Sequence, residues 1–242
     1  MSESNKRNFI VHGSILAIAG ILVRIIGMLY RIPVVNIIGS EGNGIYGAAF
    51  NIYNIMLVLS SYGLPMAVSK LVSARFTKKR YKSAAKVLRC SLMVAVCTGG
   101  IAALLVFFGA SFIENVIYGG GLPGLAIPLR ILAPTIFLVA ILGVIRGFFQ
   151  GQSTMIPTAV SQILEQIVNA IVSIAAGYGM MKAFASSPDV AAYGAAGSTL
   201  GTAMGALTAV LFMGFLYAVY TPTFNRLKRK DRHTENQSTG QI

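Results

Sequence analysis

Residues 146–169 read RGFFQGQSTMIPTAVSQILEQIVN, and this stretch predicts how the rest of the chain is organised. A short polar turn at residues 150–154 ends one apolar helix and precedes another. Pro157 stands at the start of the second helix, where the first N–H groups have no intrahelical partner and a proline is tolerated. The stretch therefore predicts two helices joined by a short turn.

The second of these helices carries a polar face. Polar residues recur there at spacings of three and four, which places them on one side of an α-helix. Glu165 lies well inside an apolar span, where a charge is costly unless it serves a cavity, a pathway or an ion pair. The candidate ion-coupling residues are Glu165, Gln162, Gln166 and Asn169. The alternative is a protonated Glu165 that hydrogen-bonds between helices.

The composition is that of a membrane protein. Hydrophobic residues make up 55% of the chain and charged residues 11%, and the mean hydropathy is +0.70. These values exclude an ordinary soluble domain, and the long apolar runs predict an all-α polytopic membrane protein. The formal charge of +13 could suggest nucleic acid, but the basic residues lie between the apolar runs, so we predict no nucleic-acid partner.

Six apolar runs approach the roughly 20 residues that a helix needs to cross a bilayer. Residues 1–225 are therefore predicted to form one six-helix lobe, and residues 226–242 a flexible basic tail in the cytoplasm. The predicted spans are residues 9–30, 44–67, 87–108, 125–145, 156–180 and 193–219.

The basic residues predict the orientation. Residues 70–89 hold eight lysines and arginines and no acid, and more basic residues follow span 6. By the positive-inside rule, both termini and this segment are cytoplasmic in a multi-pass protein of a bacterial plasma membrane. Arg130 and Arg146, at the two ends of span 4, are interpreted as interface anchors.

Spans 1 and 2 supply candidate substrate-binding residues. Arg24 and Arg31 share a face of span 1 with two glycines. Arginine suits bidentate phosphate binding; an ion pair with Glu165 is the alternative for Arg24, and an interface position for Arg31. Asn51 and Asn54 either join helices by hydrogen bonds or line a hydrated cavity.

Span 6 contains Gly197, Gly201 and Gly205, a spacing typical of closely packed membrane helices. No phosphate-binding glycine loop, nucleophile motif or zinc motif is present in the sequence. We therefore predict a protein that is not an enzyme and has no cofactor or metal.

Two stretches resemble a known family. Residues 146–169 look like the span 4–5 signature of the MOP flippase superfamily, in its polysaccharide-biosynthesis branch. Residues 20–56, GILVRIIGMLYRIPVVNIIGSEGNGIYGAAFNIYNIM, resemble the first two spans of that branch. Over residues 8–225 the chain is most similar to the stage V sporulation protein B type, which is related to lipid II flippases.

The resemblance implies a V-shaped fold of two six-helix lobes and transport of an undecaprenyl-diphosphate-linked sugar, with roles in cell-wall, polysaccharide or spore synthesis. By similarity, Arg24 matches a cavity-facing arginine of the lipid II flippases. Arg31 is displaced by one residue from a second such arginine, and a span 2 arginine is missing near Val58.

Six spans correspond to one lobe of that fold, so we expect either a truncated or split transporter or a lobe that pairs with a second lobe or chain. The leading hypothesis is a flippase for lipid-linked oligosaccharide, or its amino-terminal half. The alternatives are a drug or metabolite exporter of the same superfamily and a membrane assembly factor that does not transport.

Overall fold

The structure, a computed structural model, describes the backbone of residues 3–231 and the side chains of residue 14 and residues 16–231. Every regular element in that range is helical, which confirms the predicted all-α class. A π-helical turn, Ile113–Ile117, follows the third helix. The α-helices are α1 (Glu3–Ser60), α2 (Leu64–Thr77), α3 (Tyr81–Phe112), α4 (Ala126–Gly151), α5 (Ile156–Ala183) and α6 (Val190–Lys230).

α1 bends sharply at Gly39. This residue has φ 71° and ψ −175°, a backbone conformation that glycine adopts without a steric penalty. The guanidinium carbon of Arg31 lies 5.9 Å from the ring centroid of Tyr46. Along a straight helix these residues would be about 22 Å apart. The chain therefore folds back at Gly39, and α1 contains two segments, residues 3–38 and 40–60.

The turns of the chain alternate between two ends of the lobe. At one end, the Phe148 ring of α4 contacts Phe76 of α2 and Phe224 of α6. We call it the basic end, because basic residues lie in the last turns of α2 and α6 there. At the other end, Gly42 lies against the carbonyl of Ala191, beyond the bend in α1. The two segments of α1 therefore run in opposite directions between the ends.

This alternation matches the predicted order of six crossings. Five helical stretches among the described residues are long and apolar enough to cross a membrane, and the first of them, Leu16–Thr77, has 62 residues. A straight helix of that length would measure about 93 Å, three times the hydrocarbon thickness of a bilayer. The bend at Gly39 divides this stretch, and each segment of α1 is itself long enough to cross a bilayer.

The helices extend beyond the predicted spans at the basic end. Much of the predicted loop at residues 70–89 is helical in α2 and α3. α6 continues to Lys230, so residues 226–230 of the predicted tail are helical too. Lysine and arginine are good helix formers, so a helix can continue after its apolar run has ended. The rest of the predicted tail, residues 232–242, lies outside the described residues.

Two series of glycines bring helices into close contact. Added Cβ atoms at Gly201 and Gly205 of α6 would lie 2.6 Å from the carbonyl oxygens of Asn169 and Glu165, so α5 and α6 pack backbone to backbone as predicted. A second series lies on α4. Added Cβ atoms at Gly147 and Gly151 would lie 2.5 Å and 2.7 Å from the carbonyl oxygens of Pro65 and Ser69, so α2 packs on this face.

Candidate functional site

An ion pair between α4 and α5 lies at the centre of the candidate site. Nη2 of Arg146 donates to Oε2 of Glu165 at 2.7 Å. Nε of Arg146 donates to Oγ of Ser161 at 2.9 Å, and Ser161 donates in turn to the carbonyl of Thr158 at 2.8 Å. The Arg146 and Glu165 side chains are 14% and 26% exposed. Glu165 is thus neutralised by a partner whose second hydrogen bond fixes its direction.

The local geometry explains why Arg146 is that partner. α4 ends at Gly151 and α5 begins at Ile156. Arg146 lies five residues before that end (151 − 146) and Ser161 five residues after that beginning (161 − 156), so the two face each other across the turn. Glu165 lies one helical turn further along α5. The interpretation of Arg146 as an interface anchor is therefore wrong. The symmetric spacing around the turn was present in the sequence; it places Arg146 beside Ser161, one helical turn from Glu165.

Asn169 joins three helices. Its Nδ2 donates to the hydroxyl of Tyr30 in α1 at 3.3 Å. Its Oδ1 accepts from Ser173 of α5 at 2.9 Å and from Thr202 of α6 at 3.4 Å. The side chain is buried, at 8% exposure. The amide is thus occupied by contacts between helices, so a coupling role for Asn169 would act through helix position.

The first segment of α1 runs beside α5 with a regular register. Gly27 lies against the side-chain amide of Gln166, because an added Cβ would be 3.1 Å from Nε2. Tyr30 contacts Asn169, three residues further along each helix. Extending this register places Arg24 beside residue 163 of α5. Arg24 and Glu165 therefore differ in depth by only about 3 Å, less than the roughly 8 Å that counting from the predicted span starts gives.

Arg24 nevertheless does not pair with Glu165, so that alternative is wrong. Its side chain is exposed, and within the described residues no hydrogen bond or ion pair is formed by Arg24. Glu165 is instead occupied by Arg146. Arg24 is thus a cation within an apolar span whose guanidinium remains available.

The second segment of α1 supplies the other candidate substrate-binding residues. Asn51 and Asn54 are both exposed, so neither is enclosed between helices of the described residues. Tyr53, between them, is buried, at 6% exposure. Because Arg31 meets Tyr46 and the segments run in opposite directions, Asn54 is about level with Arg24.

Arg31 is exposed like Arg24, but its guanidinium lies over the Tyr46 ring. Such a contact stabilises a cation and leaves its N–H groups able to bind an anion. Gln162 and Gln166 are half-buried, on the part of α5 beside the first segment of α1. The structure thus brings Arg24, Asn54, Gln162 and Glu165 to a common depth, with Arg31 about one or two turns away.

Comparison with known proteins identifies the relatives of this chain. Residues 10–239 match the family described as polysaccharide biosynthesis protein. The lipid II flippase MurJ of Bacillus subtilis is 34% identical over 176 residues, which is 70% of this chain and 32% of that protein. Stage V sporulation protein B of the same organism is 30% identical over 210 residues, covering 86% of this chain and 39% of that protein.

A third relative is the uncharacterized membrane protein YabM of Bacillus subtilis. It is 29% identical over 235 residues, or 97% of this chain and 41% of that protein. The chain thus spans between about a third and two fifths of the length of these relatives. No solved structure matches the chain.

Proposed function

The chain belongs to the polysaccharide biosynthesis protein family, within the MOP flippase superfamily, and on this premise we propose that it forms a flippase lobe. The lobe serves to move an undecaprenyl-diphosphate-linked oligosaccharide across a bacterial plasma membrane during cell-wall or polysaccharide synthesis. The names of the relatives support this substrate class, since one is a lipid II flippase. A second lobe or chain would complete the cavity, because the relatives are more than twice as long as the matched region.

The observation that carries this proposal is the different state of two arginines. Arg146 is occupied by Glu165 and Ser161, whereas Arg24, at almost the same depth as Glu165, is exposed and unpaired among the described residues. An uncompensated charge in an apolar span is costly and by default marks a functional site. A diphosphate would supply the missing negative charge.

The chemistry of the exposed residues fits a sugar diphosphate. The planar guanidinium of Arg24 presents N–H groups that match phosphate oxygens in pairs. Arg31 would add a second cation, and the amides of Asn51 and Asn54 would donate and accept hydrogen bonds with phosphate or sugar hydroxyls. Substrate binding is therefore assigned to Arg24, Arg31, Asn51 and Asn54.

The Arg146–Glu165 pair is the proposed coupling element, and Gln162 and Gln166 complete it. A proton or cation that takes the place of Arg146 at Glu165 would break the ion pair and leave Arg146 held to α5 only by its hydrogen bond to Ser161. The α4–α5 turn could then change its packing, since a ligand shifts an equilibrium when it favours one of two states. Asn169 would transmit that change to α1 and α6 through its hydrogen bonds.

The direct test measures flipping in liposomes that contain the full chain. The assay is run with the chain alone and with the chain together with a second lobe. The labelled substrate is a polyprenyl-diphosphate sugar. Arg24→Ala should abolish flipping, and Arg130→Ala is the matched control because Arg130 is also exposed but bonds to Ser111, far from this site. Equal flipping by Arg24→Ala and the unsubstituted chain would refute the proposal. Transport of cationic drugs instead would favour the exporter hypothesis.

A further inference from the structure

An open groove lies at the basic end, remote from the Arg24 site. Its volume is about 570 Å³, and it is lined by Lys82, Asn225, Lys228 and Arg229. Lys82 belongs to the first turn of α3, and the other three residues belong to the last turns of α6. Three cations and an amide from two separate helices therefore converge on one concave surface.

The groove is held in shape by contacts on both sides. Oδ2 of Asp231, at the end of α6, accepts the backbone N–H of Lys82 at 2.9 Å, across 149 residues of sequence. Asp231 is 6% exposed. Beneath it, the rings of Phe76 and Phe224 stack with centroids 6.1 Å apart and 3° between their planes. The helix ends are thus fixed relative to each other without a ligand.

The charged groups that line the groove are all positive, and the Asn225 amide adds a further N–H donor. Lys228 lies over the Phe224 ring, with Nζ 5.1 Å from the centroid, and this fixes the direction of the ammonium group. The Asp231 carboxylate accepts the N–H of Lys82 and is buried, and it is not among the residues that line the groove. Such a surface matches an anion with several oxygen acceptors.

Tyrosine residues place the groove at the level of lipid headgroups. Tyrosine gathers at the membrane–water interface, where its amphipathic ring is at its most favourable depth. Tyr81, Tyr217 and Tyr220 are half-buried and pack around the buried Phe148 and Phe224, next to the groove.

We propose that this groove is a binding site for the phosphate headgroup of an anionic phospholipid of the surrounding leaflet. Basic pockets between membrane helices bind such headgroups, and the aromatic level favours a lipid over a soluble anion. Positive charges that serve only to orient the chain need no defined site. A built groove instead binds lipid with a fixed stoichiometry. The inference does not depend on the transport function, because none of these residues belongs to the Arg24 site.

The test is native mass spectrometry of the full chain in a neutral detergent, titrated with phosphatidylglycerol. The groove variant combines Lys82→Gln, Lys228→Gln and Arg229→Gln. Its matched control combines Lys70→Gln, Lys78→Gln and Arg89→Gln, which removes the same charge from exposed positions that do not line the groove.

The unsubstituted chain and the control should bind one phosphatidylglycerol more tightly than phosphatidylcholine. The groove variant should lose on the order of tenfold or more in affinity, given the attraction of each cation to an anionic lipid. Arg229→Gln alone, at an exposed position, should give a smaller loss of affinity for phosphatidylglycerol. This single variant keeps the test valid if the triple variant misfolds.

Three results would overturn the proposal. Equal losses in the groove variant and the control would show that only total charge matters. Binding of phosphatidylcholine as tight as that of phosphatidylglycerol would show that the groove does not distinguish headgroups by their charge. Displacement of phosphatidylglycerol by equimolar inorganic diphosphate would show that the groove takes a soluble anion and not a lipid.

Discussion

At the scale of single residues, the main result is the way the charge of Glu165 is compensated. A carboxylate inside an apolar helix can pair, lose its charge or face water. Here it pairs with Arg146, which reaches it from the preceding helix across a four-residue turn at residues 152–155. Because Arg146 already compensates Glu165, the Arg24 guanidinium has no carboxylate partner among the described residues.

The first prediction concerns this pair. Glu165→Gln and Arg146→Gln should each lower stability by about 1–3 kcal/mol, because each leaves a half-buried charge without its partner. The double variant should cost clearly less than the sum of the two, since it removes both charges together. Thermal unfolding in detergent measures all three. Additive losses would mean that the two side chains do not interact in the membrane.

The second prediction separates the bonds of Asn169. Asn169→Ala should destabilise the lobe by roughly 1–2 kcal/mol, near the upper range for hydrogen bonds between membrane helices. Of the hydrogen bonds that Asn169 makes, Tyr30→Phe removes only the one to α1. This variant should therefore lose less than half as much stability as Asn169→Ala. The same unfolding assay compares them. A Tyr30→Phe loss as large as that of Asn169→Ala would contradict the assignment of Asn169 to three helices.

At the scale of helices, glycine faces set the packing. Gly201 and Gly205 allow α6 to approach the backbone of α5, and Gly147 and Gly151 allow α2 to lie against α4. Lipid tails are as apolar as the side chains of the helices, so the hydrophobic effect does not drive helix association in a membrane. Close packing of helix backbones is therefore a main source of that association. These faces fix the helices that carry the Arg146–Glu165 pair.

The third prediction uses two glycines of the same helix. Gly201→Leu should prevent folding or strongly reduce accumulation in the membrane, because even a Cβ there meets backbone atoms of α5. Gly214→Leu should be tolerated, since nothing lies within 4 Å of its added Cβ. Membrane yield and heat resistance in detergent report the difference. Equal behaviour of the two variants would contradict the α5–α6 packing.

The sequence predicted the glycine face of α6 but not that of α4. The α6 series repeats in a run of small residues, whereas Gly143, Gly147 and Gly151 are separated by larger residues, among them Arg146 and Gln150. The partner of the α4 face, α2, begins inside predicted span 2 and continues into the segment that was predicted as a loop because of its charges. Periodicity shows which face is small, but it does not show which helix covers it.

At the scale of the whole molecule, hydropathy predicts six crossings, and the bend at Gly39 divides the first of five long apolar stretches into two antiparallel segments. The candidate residues were also chosen from the sequence, because polar groups stand out in apolar spans. The sequence did not show which side chains each of them contacts. The Arg146–Glu165 pair and the level of Arg24 depend on helix register, which is set by packing between elements that are distant in sequence.

The fourth prediction concerns orientation, which follows from the charges. In a chain without Cys90 and Cys97, Lys79→Cys at the basic end should be protected from an impermeant thiol reagent in intact cells. Ser186→Cys, in the exposed turn between α5 and α6, should be labelled. The reverse pattern would place the basic end outside the cell and would contradict cytoplasmic termini.

The central claim is that Arg24 binds the diphosphate of a lipid-linked sugar, and a binding measurement tests it most directly. The affinity of the full chain for a polyprenyl diphosphate should fall on the order of tenfold to a hundredfold in Arg24→Ala, given the strength of hydrogen bonds to charged groups. Arg24→Lys should recover only part of it, because an ammonium lacks the bidentate geometry. Arg130→Ala should bind normally; unchanged affinity in Arg24→Ala would contradict the account.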